Sequence, residues 1–413
     1  VAVALHVASW PWWAQAGAIY VLARAVSACI FMAAALHQGT NPWFPAKPDY
    51  WNFISIWDGR WYAEAANNGY PRELPLNESG DVQENAWAFY PLLPLLGRSL
   101  SAITGLGTLP ALTLIAMVAG LGAALVAYKL FREFAGHAEA LWGVAFFATF
   151  PVSAILQVPY AEPLNLLLLG SSLLLVVRRR YLAVIPLVLL MCLSRPTGVP
   201  FALLAGLILL NQFWRKFRPA RPEQVKRTTH AKALPGVERA EPRTGELFAL
   251  GALALASAVG ALAWPGIAWL VTGEPDAYTR TETVWRGHDL VPFTPWFDAG
   301  RDLFGPVLGP LAPILFAFLF GWMLFAPPVR RLGLELRLWC GCYMAYLMAF
   351  LHPQTSTFRM LLPLFPLALG AVFVSRSRAY RAVVLLMFVL LQIVWIVWLW
   401  AWAQLPGGGD YPP

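Results

Sequence analysis

Charge is what this chain has least of. Only 13% of its 413 residues are Asp, Glu, Lys or Arg, while 59% are hydrophobic. A single water-soluble core cannot hide that much apolar surface, so a soluble globular protein is excluded and an all-α, polytopic membrane bundle is expected. Cysteine is also scarce. Cys29, Cys192, Cys340 and Cys342 all lie in apolar runs, which excludes a disulfide framework and a zinc-type ligand set and leaves them as packing residues. Histidine pairs with ligand spacing and Asp-x-Asp pairs are missing from the polar loops, so neither a metal nor another cofactor is expected. The net charge of +8 does not indicate nucleic acid as a partner. The basic residues form short clusters between apolar segments, which is how membrane topology is written. No cleavable signal peptide is evident, and a chain beginning at Val1 leaves open whether the N-terminus is complete.

Apolar runs of about 20 residues, shorter where neighbours shield the ends, divide the chain into about eleven spans. They lie near residues 14–36, 109–129, 139–157, 163–177, 181–196, 198–214, 246–271, 306–326, 334–351, 359–375 and 382–402. Residues 1–402 are expected to form one transmembrane domain, preceded at its first span by an aromatic belt of Trp10, Trp12 and Trp13. Basic clusters recur in every second loop: Lys129/Arg132, Arg178–Arg180, Arg215–Arg243, Arg330/Arg331/Arg337 and Arg376/Arg378/Arg381. Those loops are read as cytoplasmic, with the N-terminus inside and a flexible tail, 403–413, outside. The 215–245 loop, with nine Lys or Arg between Arg215 and Arg243, is read as a flexible linker able to touch anionic lipid head groups. Pro186, Pro196 and Pro200 interrupt short spans, and broken helices are tolerated where they line a cavity. Arg24, inside the first span, is expected to snorkel or pair.

This topology puts the unusual polar residues on one side. The long loop 37–108 holds Trp57-Asp58-Gly59-Arg60, a helix-like Ala run ending at Asn67-Asn68-Gly69, and a short apolar stretch from Phe89 to Leu96 read as an interfacial or re-entrant helix. The same side receives Tyr160 and Glu162; Arg195 at the end of a span; the loop 272–305 with Arg280, Glu282, Arg286, His288 and Asp289; and the segment from His352 to Arg359. Cations at helix ends on the side where positive charge is avoided need a partner, and an anionic ligand such as phosphate is one. Glu162 is either a substrate ligand or the ion-pair partner of Arg195. Asp58 is either a general base or, through the Ser55-x-x-Asp58 spacing, part of a helix cap. The chemistry that fits is group transfer from a lipid-linked phosphate, a carboxylate taking the acceptor's proton while cations stabilise the departing phosphate.

Trp57-Asp58-Gly59, Gly69-Tyr70, the run from Ala88 to Leu95, Pro159-Tyr160-Ala161-Glu162 and Ser194-Arg195-Pro196-Thr197-Gly198 resemble, in that order, the motifs of the PIG-V-like family. These are the GPI mannosyltransferase II relatives among the GT-C glycosyltransferases. The resemblance implies a polytopic enzyme that moves a sugar, mannose above all, from a polyprenyl-phosphate donor to an acceptor hydroxyl with inversion. It makes Asp58 the general base. Trp57, Arg60, Tyr160, Glu162, Arg195, His288, His352 and Arg359 are the candidate substrate-binding residues. The family's Ser in the Tyr-x-Glu element is Ala161 here, and Pro163 follows Glu162. The acceptor is left open between a lipid-linked glycan and a protein hydroxyl. The expected setting is a bacterial plasma membrane, with the site on the extracytoplasmic face among membrane lipids. The alternative is a transporter or flippase of lipid-linked sugars, which would carry binding features toward both sides or at the midplane.

Overall fold

The structure, a computed structural model, describes residues 9–217, 244–286, 291–404 and 413. Its described residues are helical throughout, joined by turns and one isolated two-residue bridge, Leu76–Val82. The chain begins with α1 (Trp12–Ala35), continues through α2 (Asp58–Asn68) and α3 (Leu92–Thr104) in the long first loop, and then enters the bundle with α4 (Thr108–Arg132) and α5 (His137–Thr149). Next come α6 (Glu162–Val177), α7 (Tyr181–Cys192), α8 (Gly198–Phe217) and α9 (Thr244–Thr272). The last part is α10 (Ala277–Arg286), α11 (Thr294–Leu308), α12 (Leu311–Leu324), α13 (Gly333–Phe350), α14 (Pro366–Val374) and α15 (Arg378–Val394), which runs on into a π-helical turn at Trp395–Trp400.

Each expected span contains helix, but they differ in reach. Among the described residues five helices are long and apolar enough to cross a bilayer, and two bent pairs raise that number to seven if each counts as one span. The pair α11–α12 turns by 111°, and the pair Thr357–Leu364 with α14 turns by 76°. Helices α6 and α7 are too short to span by themselves, and Pro186 lies inside α7, removing one backbone donor. The short helix expected near 89–96 is α3, and Gly105, with φ of 74°, ends it. Lipid replaces water as the outer solvent, so side chains such as Leu270, Leu303 and Val307, at least 75% exposed, face outward without penalty. The expected cytoplasmic linker falls on residues 218–243, and most of the expected tail on 405–412; both lie outside the described residues.

The core forms where α4 packs along α6 and where α9 packs along α7 and α8. Small residues make this possible: Ala116, Ala119, Gly120, Ala123 and Ala127 line the buried face of α4 and let helix backbones approach. Arg24 neither snorkels nor meets a carboxylate. It is buried, and its guanidinium donates to the carbonyls of Ser153 and Ala148 and to Ser153 Oγ at 3.1 Å. Ala148 is in the last turn of α5 and Ser153 lies just beyond its end, where unpaired C=O groups collect, so a buried cation replaces missing helix partners. All four cysteines are free, and Cys192, Cys340 and Cys342 are buried.

Candidate active site

The helix carrying Asp58 starts abruptly. Its first residue follows Trp57, whose φ of 58° lies in the left-handed region, a conformation that costs of order 1–3 kcal/mol for such a side chain. Packing holds it there: the Trp57 indole donates to the Trp400 carbonyl at 2.8 Å and meets Trp43 edge-on at 5.1 Å. At Gly59 a Cβ would come within 2.9 Å of the Pro159 ring, so only glycine lets α2 sit this close to the Tyr160–Glu162 segment. The helix ends at Gly69, φ 78°. The expected capping box is absent. Ser55 Oγ donates to the Trp51 carbonyl at 2.6 Å, and no side chain caps α2, so the Asp58 carboxylate is directed elsewhere.

It meets Arg359. Arg359 Nη1 donates to Asp58 Oδ2 at 2.5 Å and to Glu162 Oε1 at 3.0 Å, and Arg195 Nη1 donates to the same Glu162 oxygen at 2.8 Å. Four segments up to 301 residues apart thus converge on a chain of alternating charge. Each element delivers its residue at an end. Asp58 and Glu162 are the first residues of α2 and α6, Arg195 sits in the turn between α7 and α8, and Arg359 lies on the short helix Thr357–Met360. Helix N-termini favour negative charge, which adds to the guanidinium groups in holding both carboxylates. The turn is tied to α6 by Asn165 Nδ2 donating to Thr197 Oγ1 at 2.9 Å.

The quartet borders an open cavity of ≈ 210 Å³ to which Asp58, Glu162, Arg195, Arg359 and His352 all contribute. Glu162, 4% exposed, keeps one carboxylate oxygen without a hydrogen bond, and Arg359 keeps its Nε–H unpaired. A buried unpaired polar atom beside a cavity is a place where a ligand's partner atom gains most. Burial pushes the Asp58 carboxyl above its usual value of 3.8, against the opposing pull of Arg359. The Asp58 backbone N–H donates to Tyr160 Oη at 3.1 Å, and the Arg359 guanidinium lies 5.3 Å from the Tyr160 ring centre, so Tyr160 fixes both partners from behind.

Not every expected ligand reaches this cavity. Trp57 is buried behind the loop, where its indole serves the backbone of Trp400; Arg60, on the next turn, also falls outside the lining. Tyr160 is fully buried and acts through Asp58 and Arg359. His288 lies outside the described residues. Conversely, the lining includes Tyr62, Asn165 and Trp285, which sequence reasoning did not single out. Tyr62 had a signal, since it is one helical turn beyond Asp58; Trp285 had none, its partners being more than 190 residues away. Among the described residues no group of three or more His, Cys, Asp or Glu is arranged to hold a metal.

No family model matches this chain, and no curated protein does either. A solved structure of the Archaeoglobus fulgidus oligosaccharyltransferase, in complex with zinc and sulfate, is similar at 13% identity and a TM-score of 0.46. The match covers 92% of this chain and 53% of that one, so this chain spans about half the length of the structure it matches. A likeness at this level transfers neither residue correspondences nor an activity.

Proposed function

We propose that this protein is a membrane glycosyltransferase that moves a sugar, mannose in the first instance, from a polyprenyl-phosphate donor to an acceptor hydroxyl. The observation that carries the reading is the Asp58–Arg359–Glu162–Arg195 chain bordering one cavity. Buried ion pairs are weak devices for stability, because desolvation offsets most of their attraction. Three of them at a cavity wall, with one carboxylate oxygen and one guanidinium N–H unpaired, fit a ligand that carries both an anion and hydroxyl groups. The PIG-V-like motifs in Trp57–Gly59, Tyr160–Glu162 and Arg195–Gly198 support the same assignment and name the donor class.

In this mechanism Arg195 and Arg359 bind the donor phosphate. The acceptor oxygen attacks the anomeric carbon from the face opposite the phosphate, its proton passes to Asp58, and the carbon–oxygen bond to phosphate breaks. The electron pair leaves with the polyprenyl phosphate, whose extra negative charge the two guanidinium groups stabilise, and the anomeric centre inverts. Donor binding also resolves an apparent conflict. Asp58 is paired with Arg359 before substrate arrives, and a phosphate that shares Arg359 weakens that pair and leaves Asp58 the stronger base.

The basic loops set the orientation: the cavity opens on the extracytoplasmic face and the linker 218–243 lies in the cytoplasm. The test is incubation of purified protein in detergent with labelled polyprenyl-phosphate-mannose and candidate glycolipid and peptide acceptors. Transfer of label supports the reading. A protein that moves intact donor across a vesicle bilayer and transfers nothing is a transporter instead. Orientation is checked separately with single cysteines: one at Asn77 or Asp298 is expected to react with an impermeant thiol reagent outside intact cells, and one at Thr228 is not.

A further inference from the structure

The cavity has a second wall that the mechanism above leaves unused. Helix α10 supplies it, and α10 is held against the first loop by Asn85 Nδ2 donating to Thr281 Oγ1 at 3.0 Å and by the Tyr90–Tyr278 hydroxyl pair, also at 3.0 Å. Near its C-terminal end Trp285 reaches the cavity. Its ring stands almost perpendicular to a stacked pair, meeting Trp61 at 5.3 Å and 84° and Phe89 at 5.5 Å and 86°. Trp61 belongs to the Asp58 helix, so one aromatic cluster links the catalytic loop to α10. The Trp285 orientation is therefore fixed before any ligand arrives, and yet its indole N–H is buried with no hydrogen-bond partner.

A buried tryptophan N–H normally finds an acceptor, as the indoles of Trp57, Trp87, Trp264, Trp339 and Trp400 do. We infer that Trp285 is a sugar-binding residue, its indole N–H donating to a ring or hydroxyl oxygen of the transferred sugar. The charge of the two walls decides which part of the ligand it meets. Arg195 and Arg359 line the cavity from the turn before α8 and from the helix 357–360, a cationic wall suited to phosphate. Trp285 shares α10 with Glu282, which also lines the cavity. A wall built from an indole and a carboxylate suits a neutral ring with hydroxyl donors and apolar C–H faces. The assignment rests on the glycosyltransferase reading and extends it to a residue outside every motif used so far.

The experiment is a binding measurement on the full chain in detergent, with two ligands that differ only in the sugar: polyprenyl-phosphate-mannose and polyprenyl phosphate. Trp285→Phe keeps an aromatic ring and removes the N–H. It is expected to weaken binding of the sugar-bearing ligand about five- to tenfold, the scale of one hydrogen bond, and to leave the bare phosphate bound as before. The second ligand doubles as the control for folding. Equal affinities of wild type and Trp285→Phe for the sugar-bearing ligand overturn the inference, as does an equal loss for both ligands. If the wild-type protein binds bare polyprenyl phosphate and gains nothing from the sugar, Trp285 has no sugar role while an anion site stands. If it binds neither, the glycosyltransferase reading falls and the Trp285 inference with it.

Discussion

Two arginines, Arg24 and Arg359, are buried almost equally, at 6% and 7% exposure, and do opposite things. Arg24 meets backbone carbonyls and a serine hydroxyl, all neutral, and lines neither cavity. Arg359 meets two carboxylates, keeps one N–H unpaired and borders the cavity. The first arrangement closes a gap in backbone hydrogen bonding; its Nε–H is unpaired too, but Arg24 has no part in the cavity lining. The second is a set of charges that satisfy one another incompletely. Burial of a cation is therefore no mark of function by itself; the partners are.

The sharpest way to break this comparison is at Asp58. Asp58→Asn keeps the side-chain shape and removes the proton acceptor, so transfer is expected to fall about a hundred- to ten-thousandfold. Burial disfavours the ionised carboxyl, so a neutral amide at this position leaves stability nearly unchanged. Rates are measured on folded protein with melting temperature as the control. A folded variant retaining more than about a tenth of the wild-type rate would make Asp58 a structural partner of Arg359, as the carbonyls are of Arg24.

Second in size are the cations. Arg195→Ala and Arg359→Ala each remove charge-assisted contacts worth about 1.5 to 3 kcal/mol, so donor use is expected to weaken by roughly ten- to a hundredfold. Lysine at either position restores part of it, because an ammonium keeps the charge and lacks the planar guanidinium fork that matches phosphate. Donor saturation curves read this directly, and unchanged curves in both alanine variants remove the phosphate assignment.

The control for both is Arg24→Ala. It removes the guanidinium donors of the Ala148 and Ser153 carbonyls, leaving Ala148 with Ser153 Oγ, and opens a gap, a loss of about 2 to 4 kcal/mol. The detergent melting temperature should drop by several degrees, whereas the rate per folded molecule stays within about twofold of wild type. A large rate loss in folded Arg24→Ala would erase the distinction between the two arginines.

Much of this was legible from residue order alone. Apolar runs located the helices, and the Asn-Asn-Gly stop after Asp58 located the end of α2, because those signals are local. The convergence of Glu162, Arg195 and Arg359 was only half legible. Charge alternation sorted them to one side of the bundle, but no spacing rule says that Arg359 bridges two acids. The span read as 163–177 matches α6, whereas the one read as 181–196 ends early, at Cys192, before the turn that carries Arg195. Trp57 and Arg60 stand outside the cavity lining, and the Trp57 indole serves the backbone of Trp400, a contact no local motif announces. Trp285 was invisible because its environment is made by residues from other helices.

The smallest expected effect is on pH dependence, and it sharpens the comparison most. Asp58 must be ionised to accept a proton, and burial raises its pKa above 3.8 while Arg359 lowers it. Below the folded value the carboxyl is protonated and inactive, so kcat/KM should fall as pH drops through a limb lying above the usual carboxylate range. The same sign governs stability. The folded state holds the Asp58 proton more tightly than the unfolded chain, so this group stabilises the fold at low pH and the contribution is lost as pH rises through the folded value. Arg359→Gln removes the lowering influence and should move the activity limb further up. Arg24→Ala has no carboxylate to act on and should leave the limb where it is. Profiles of kcat/KM against pH for the three proteins decide the matter: a limb that stays put in Arg359→Gln would mean that Arg359 does not tune the group that titrates.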